Sequence, residues 1–179
     1  NHMALDSDLV RVAVTGAVYV APTATAAPTT SSSALEAGFV DLGYVSADGI
    51  AESIDRSTNQ IRAWQNGSLV REVTSEGTYS VSMTFIETSE AVLELYYGTT
   101  NTAGEFNIDP TSTGGRKSFV IDVVDGATVE RIYIPAGEIT SLGERTLASG
   151  EAVGYECTIT AYADAGATTV TKWFSSLEA

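Results

Sequence analysis

Residues 79–85 read Tyr-Ser-Val-Ser-Met-Thr-Phe, an unbroken alternation of apolar and small polar side chains. Because successive side chains of a strand point to opposite faces of a sheet, this stretch predicts a strand with one buried and one polar face. Ser80, Ser82 and Thr84 form the polar face. Such a strand is typical of an antiparallel sheet that covers a core on one side only.

The same alternation recurs on both sides of this stretch. Apolar residues occupy almost every second position over residues 10–20, 119–123 and 155–161. The pair Asn66-Gly67 predicts a tight hairpin turn, because both residues tolerate the left-handed conformation that such turns require. With the shorter apolar runs between them, these segments suggest about eight to ten strands. We therefore predict an all-β fold with one short α-helix, arranged as a sandwich or a barrel.

The single helix is expected directly after the quoted strand, where the apolar residues change to helical spacing. The hydroxyl of Thr88 or Ser89 can cap the first turn, and Gly98 can end the last turn in a left-handed conformation. The sequence therefore predicts a helix over residues 89–97.

Residues 21–37 interrupt the strand pattern. They combine Pro22 and Pro28 with runs of Thr, Ser and Ala, and they offer few large apolar side chains to a core. Connections of this length exceed ordinary loops and are usually functional or disordered. We predict a low-complexity loop that protrudes from a single domain over residues 4–179, and we expect residues 1–3 to be a cloning scar.

The composition is strongly acidic. The chain has 179 residues and carries 23 Asp and Glu against 9 Lys and Arg, a formal net charge of −14. This balance lacks the basic surface with which proteins bind nucleic acid, and it disfavours basic membrane anchors. One interpretation of the acidity is solubility alone, and the other is a surface that DNA passes without binding. Composition alone leaves both interpretations open.

Residue types that catalytic sites commonly need are scarce. His2, the single histidine, lies in the expected cloning scar, which disfavours histidine-based catalysis and metal sites. Cys157 lies on the apolar side of its strand and is expected to be an inert core thiol. Arg116 stands where a phosphate-binding loop needs glycine before Lys117. We therefore expect no enzyme, no cofactor and no metal, although carboxylates that meet only in space, as in glycosidases, stay open.

Three stretches carry a family resemblance. Residues 34–50 read Ala-Leu-Glu-Ala-Gly-Phe-Val-Asp-Leu-Gly-Tyr-Val-Ser-Ala-Asp-Gly-Ile, residues 61–67 read Ile-Arg-Ala-Trp-Gln-Asn-Gly, and residues 150–162 read Gly-Glu-Ala-Val-Gly-Tyr-Glu-Cys-Thr-Ile-Thr-Ala-Tyr. In this order and at this spacing, they resemble the major tail proteins, or tail tube proteins, of long-tailed non-contractile bacteriophages, particularly those that infect actinobacteria. The resemblance extends from Asp6 to Phe174.

The resemblance implies a structural virion protein that is made in the host bacterial cytoplasm and built into the phage tail. It implies hexameric rings that stack into a hollow tube, through which DNA passes to the host. The implied fold is the β-sandwich and β-barrel of the tail tube type, with a long inter-ring loop and terminal arms. The implied partners are further copies of the chain, the tape measure protein, and the tail terminator and distal tail proteins, without membrane binding.

The resemblance also suggests which segments contact neighbouring rings. They are the N-terminal arm through Leu9, the loop of residues 21–37, and a C-terminal tail of residues 172–179. The candidate contact residues are Asp6, Asp8, Leu9, Pro22, Pro28, Leu35, Trp64, Lys172, Trp173 and Phe174. The candidate lumen residues are Ser80, Ser82 and Thr84. They lie in the first of two stretches expected to line the lumen, which are residues 78–87 and residues 10–20.

Other interpretations remain open at this point. Asp6 and Asp8 could bind a divalent cation or simply form a solvated acidic arm. Trp64 could pack into a core or lie at an interface. The alternative function is a sandwich-type binding module, such as a capsid decoration or adhesin domain.

Overall fold

The computed structural model describes residues 9–178, which form eight strands and one helix. The strands form where apolar and small polar residues alternate. They are β1 (Thr15–Pro22), β2 (Val40–Asp41), β3 (Val45–Arg62), β4 (Leu69–Phe85), β5 (Lys117–Asp125), β6 (Thr128–Leu142), β7 (Tyr155–Tyr162) and β8 (Thr171–Phe174), and the helix is α1 (Glu90–Tyr97). The predicted all-β fold with one short helix is confirmed.

The strands build one open antiparallel sheet in the order β2-β1-β5-β6-β7-β4-β3, and β8 pairs with β6 outside this order. Strands β2 and β3 stand at opposite ends of the order, yet only residues 42–44 separate them along the chain. Four Cα steps span at most about 14 Å. The sheet therefore curls until its two ends approach each other.

The link between β2 and β3 is bonded to both ends of the sheet. The Leu42 N–H donates to the Val18 carbonyl at 2.9 Å, and the Ile86 N–H donates to the Tyr44 carbonyl at 3.0 Å. Gly43 turns the link in a left-handed conformation, with φ of 77°. The fully buried Leu42 side chain anchors the link in the core.

The hydrophobic core collects the apolar faces of the long strands and one side of α1. The alternation of residues 79–85 is confirmed, because the apolar members are buried and the polar members are only partly covered. The largest fully buried side chains are Tyr155, Phe85, Phe119, Leu42, Ile121, Ile134 and Ile159. Residues from β1, β4, β5, β6 and β7 meet in one cluster, which is possible because the sheet curls.

The helix prediction is confirmed. Ser89 caps α1, and its hydroxyl accepts a hydrogen bond from the Val92 N–H at 3.4 Å. Gly98 ends the helix in a left-handed conformation with φ of 62°. Val92 and Leu95 bury the inner face of α1 against the sheet.

The predicted strand over residues 10–20 is wrong in its first half. β1 begins only at Thr15, and Val10, Val12 and Val14 are exposed. The Val14 N–H still donates to the Val124 carbonyl at 3.2 Å, so this segment continues alongside β5. Because β5 ends at Asp125, none of the described strands extends far enough to cover these valines.

Candidate assembly surfaces

Strands β3, β4, β7 and β6 bring polar side chains into register on one face of the sheet. Ser53 pairs with Ser80, Ser80 with Thr160, and Thr160 with Glu138. Directly paired residues of neighbouring strands lie on the same face, so this row crosses four strands. We call this surface the hydroxyl face, and it consists of Ser53, Ser80, Ser82, Thr84, Glu138, Thr140, Glu156, Thr158 and Thr160.

Some hydroxyl groups of the hydroxyl face form hydrogen bonds with each other. The hydroxyl oxygens of Ser82 and Thr158 lie 2.9 Å apart, and those of Thr140 and Thr160 lie 2.7 Å apart. Two carboxylates, Glu138 and Glu156, lie among these residues, and Arg116 lies at the margin of the face, with its guanidinium 4.5 Å from the ring centroid of Tyr162. All three candidate lumen residues, Ser80, Ser82 and Thr84, belong to the face and are half-buried. The face is therefore polar, and carboxylates are its main charged groups.

The hairpin of β3 and β4 extends well beyond the rest of the sheet. β4 pairs with β7 only over residues 79–85, so residues 55–78 form a two-stranded projection that we call the hairpin ribbon. Every residue of the ribbon is exposed except Ala63, which is half-buried. Its exposed large apolar side chains are Ile61, Trp64, Leu69, Val70 and Val73. An isolated two-stranded hairpin is marginally stable in water, so this surface is suited to a partner.

The tip of the hairpin ribbon is the predicted Asn66-Gly67 turn, and the structure confirms it. Asn66 and Gly67 both have positive φ, of 59° and 61°, and the Ala63 N–H donates to the Ser68 carbonyl at 2.8 Å. Trp64 lies beside this turn with 96% of its surface exposed, so it does not pack into the core of its own chain. Sequence reasoning found the hairpin but missed its protrusion, which the charged residues over 71–76 could have signalled.

Arg131 holds the loop of residues 21–37 against the rest of the chain. The buried guanidinium donates from Nε and Nη2 to the two oxygens of Asp122, at 2.7 and 2.8 Å. Its Nη1 donates to the carbonyls of Thr30 and Ser33, at 3.2 and 2.6 Å. The Asp122 carboxylate raises the pKa of Arg131, so the guanidinium stays charged. Pro28 is buried in the loop, whereas most of the other loop residues are exposed.

The C-terminal segment contacts the same loop. The Glu178 carboxylate accepts hydrogen bonds from the backbone N–H and the hydroxyl of Ser31, each at 2.7 Å. Two of the segments that the resemblance suggests for inter-ring contacts are thus bonded to each other within one chain.

The three C-terminal candidate residues lie in β8. Lys172 Nζ is hydrogen-bonded to Glu52 and lies 3.2 Å from a carboxylate oxygen of Glu130, so it joins β8 to β3 and β6. The Trp173 ring lies 6.5 Å from the ring of Tyr133. Phe174 is more exposed than either neighbour, with 40% of its surface accessible.

The remaining candidate contact residues do not form one surface with those described above. Leu9 is exposed, Pro22 is the exposed last residue of β1, and Leu35 is half-buried in the loop. Asp6 and Asp8 lie outside the described residues. Their contacts, like those of the other candidates, stay predictions.

Over the described residues, the structure shows neither an accessible thiol nor a cluster of metal ligands. Cys157 is 2% exposed, and burial raises the pKa of its thiol to about 12. Over residues 9–178, no three metal-ligating side chains cluster as a metal site would require. Among the described helices, none has the length and apolar character of a membrane span.

The curled sheet thus offers two broad surfaces to partners, the hydroxyl face and the exposed hairpin ribbon. The chain belongs to the phage tail tube protein family, whose model matches residues 3–178. Its role is that of a structural component of a virion tail. None of the curated proteins that were compared matches the chain.

Solved structures of tube-like assemblies share the fold. A chain of the anti-feeding prophage cap, the AFP tube terminating cap, matches with a TM-score of 0.54 at 12% identity, over 98% of this chain and 97% of that chain. A chain of the PVC sheath-tube complex, from an extracellular contractile injection system in the extended state, matches with a TM-score of 0.50 at 9% identity, over 94% of this chain and 98% of that chain. At these identities the likeness establishes the fold.

Proposed function

We propose that this protein assembles with copies of itself into stacked hexameric rings, which form the hollow tail tube through which phage DNA passes. The hydroxyl face carries the proposal. A wall in which hydroxyls and carboxylates predominate, with Arg116 at its margin, offers few ion-pair partners to a phosphate backbone, so DNA can slide along it. Of the two expected lumen stretches, residues 78–87 and 10–20, the proposal keeps the first, because β1 lies outside the four strands of this face.

The edges of the sheet support lateral assembly into rings. β3 ends the strand order, and along its outer side it has no pairing partner among the described strands. An open edge strand presents unpaired N–H and C=O groups, which another copy can complete. Continuing the β6-β7-β4-β3 layer from copy to copy would extend the hydroxyl face around a closed channel. The tape measure, tail terminator and distal tail proteins are the partners proposed for the channel and its ends.

Electron microscopy of the purified protein tests self-assembly. We expect rings or tubes with a central channel as the protein concentration rises. A protein that stays monomeric at every salt and protein concentration, and that does not enter mature tails, would contradict the proposal and favour a binding module.

Size-selective labelling tests which face lines the channel. In assembled tubes, Ser80→Cys should react with a small maleimide but not with a maleimide attached to a large polymer. Ala127→Cys, exposed at the turn between β5 and β6, is the matched control and should react with both. The buried native Cys157 keeps the background low. Equal labelling of Ser80→Cys by both reagents would exclude the hydroxyl face from the lumen.

A further inference from the structure

An uncharged groove opens where the two ends of the curled sheet approach each other. Its volume is about 370 Å³, and its lining includes Val14, Tyr44, Val45, Ala47, Ile50 and Val123. None of its lining residues is charged, although the chain as a whole carries a net charge of −14. We call it the seam groove. Its walls suit a flat apolar or aromatic side chain.

The tip of the hairpin ribbon carries a side chain of that kind. Trp64 is 96% exposed, and the adjoining Asn66-Gly67 turn defines the backbone around it. Tryptophan is among the residues most enriched where a few side chains dominate the binding energy of an interface. An exposed indole beside a hydrogen-bonded turn is therefore suited to act as an anchor.

Trp64 cannot enter the seam groove of its own chain. β3 runs from Ile50, in the groove wall, towards Arg62 beside the tip. At about 3.3 Å per residue, an extended strand carries Trp64 roughly 45 Å from Ile50. Trp64 can therefore enter only the seam groove of another copy of this chain.

Charge also favours the pairing of tip and groove between copies. Residues 61–71, at the tip, contain Arg62 and Arg71 and no acidic residue. Acidic residues surround the groove: Asp48 lies between two lining residues, and Asp41 and Glu87 line the adjoining cavity. The chain has only 9 Lys and Arg residues, and two of them lie at the tip. Opposite charges therefore attract the tip of one copy towards the rim of the groove in another copy.

We infer that Trp64 of one copy inserts into the seam groove of another copy. The inference rests on the proposed tube function and specifies one of its contacts. Tip and groove are different surfaces of the same chain, so the contact is head-to-tail. A head-to-tail contact closes into a ring or continues from copy to copy, depending on the rotation between copies, and the continuing form is the one that the stacking of rings requires.

Two tip variants test the anchor. Trp64→Ala should raise the protein concentration at which tubes form by about tenfold or more, because an interface anchor is lost. Gln65→Ala, which changes the neighbouring tip residue, is the control and should leave that concentration within about twofold. Since Trp64 is exposed, both variants should keep the circular dichroism spectrum and thermal midpoint of the wild-type monomer. Equal assembly of Trp64→Ala and wild type would overturn the inference.

Cross-linking tests the partner surface. Gln65→Cys combined with Ala47→Cys should give covalent multimers when assembled tubes are treated with a short bismaleimide. Gln65→Cys combined with Ala165→Cys, an exposed loop position away from the groove, should not. Tubes that cross-link through residue 165 and not through residue 47 would overturn the inference while leaving the tube function intact. Absence of tubes from the wild-type protein would instead contradict the proposed function itself.

Discussion

Glu178 accepts two hydrogen bonds from Ser31, one from its backbone N–H and one from its hydroxyl, each 2.7 Å long. Ser31 is 1% exposed, in the middle of the loop of residues 21–37. The contact bonds the C-terminal segment to a loop that is 147 residues away along the chain. A substitution in the C-terminal segment is therefore expected to change the structure or the dynamics of the loop, and the reverse is also expected.

Removing the Glu178 carboxylate should loosen the loop without unfolding the protein. In Glu178→Ala the Ser31 N–H loses its acceptor, so hydrogen exchange at Ser31 and its neighbours should accelerate while the thermal midpoint stays close to wild type. Glu36→Ala, which removes an exposed carboxylate of the same loop, is the control. Unchanged exchange at Ser31 in Glu178→Ala would show that Arg131 alone holds the loop.

Acid should release the same contact. Hydrogen bonds from the Ser31 hydroxyl and N–H hold the pKa of Glu178 below its ordinary value of 4.5. Because the folded-state pKa is the lower one, the contact is complete at neutral pH and is lost as the pH falls through the folded-state pKa. The amide resonance of Ser31 should titrate with a midpoint below 4.5, and Glu178→Gln should abolish that titration. A midpoint at or above the ordinary value would contradict the contact.

Arg131 should matter for the stability of the whole domain. Arg131→Met leaves the Asp122 carboxylate without its ion-pair partner and two loop carbonyls without a donor. We expect the free energy of unfolding to fall by about 2–4 kcal/mol, measured by urea denaturation. The double variant Arg131→Met with Asp122→Asn should lose less than the sum of the single variants. Additive losses would mean that the two side chains do not interact.

Cys157 should be unreactive until the protein unfolds. Burial raises the pKa of its thiol to about 12, so little thiolate is present at pH 8 and reagents have little access. Alkylation of the native protein should be at least about a hundredfold slower than in urea, where the thiol regains a pKa of about 8.5. Comparable rates in the two states would show that the core opens locally around β7.

A cation on the hydroxyl face should hinder DNA. Phage particles whose tubes carry Glu156→Lys should release their genome more slowly than wild type, and added salt should reduce the difference because it weakens phosphate contacts. Glu151→Lys makes the same change of charge at an exposed position outside the hydroxyl face and serves as the control. Normal ejection with Glu156→Lys would count against any need for an acidic wall.

Local patterns predicted the local elements. The strand at residues 79–85, the helix with its Ser89 cap and Gly98 terminus, and the Asn66-Gly67 turn follow from side chains within four residues of each other. These elements are predicted by local rules: the alternation of side chains between the two faces of a strand, and the dihedral angles that capping and turn residues prefer. The same rules were wrong for residues 10–14, because burial of an alternating segment depends on a strand that lies beside it in the fold.

By itself, the sequence determined an acidic all-β chain with one capped helix, and its ordered motifs resembled the tail tube family. Only the tertiary structure decided what those elements form together. The four-strand row from Ser53 to Glu138, the Arg131 contacts to the loop, and the seam groove all join residues from distant parts of the chain. Strand register and the curling of the sheet set these contacts, and both depend on how the whole chain packs around one core.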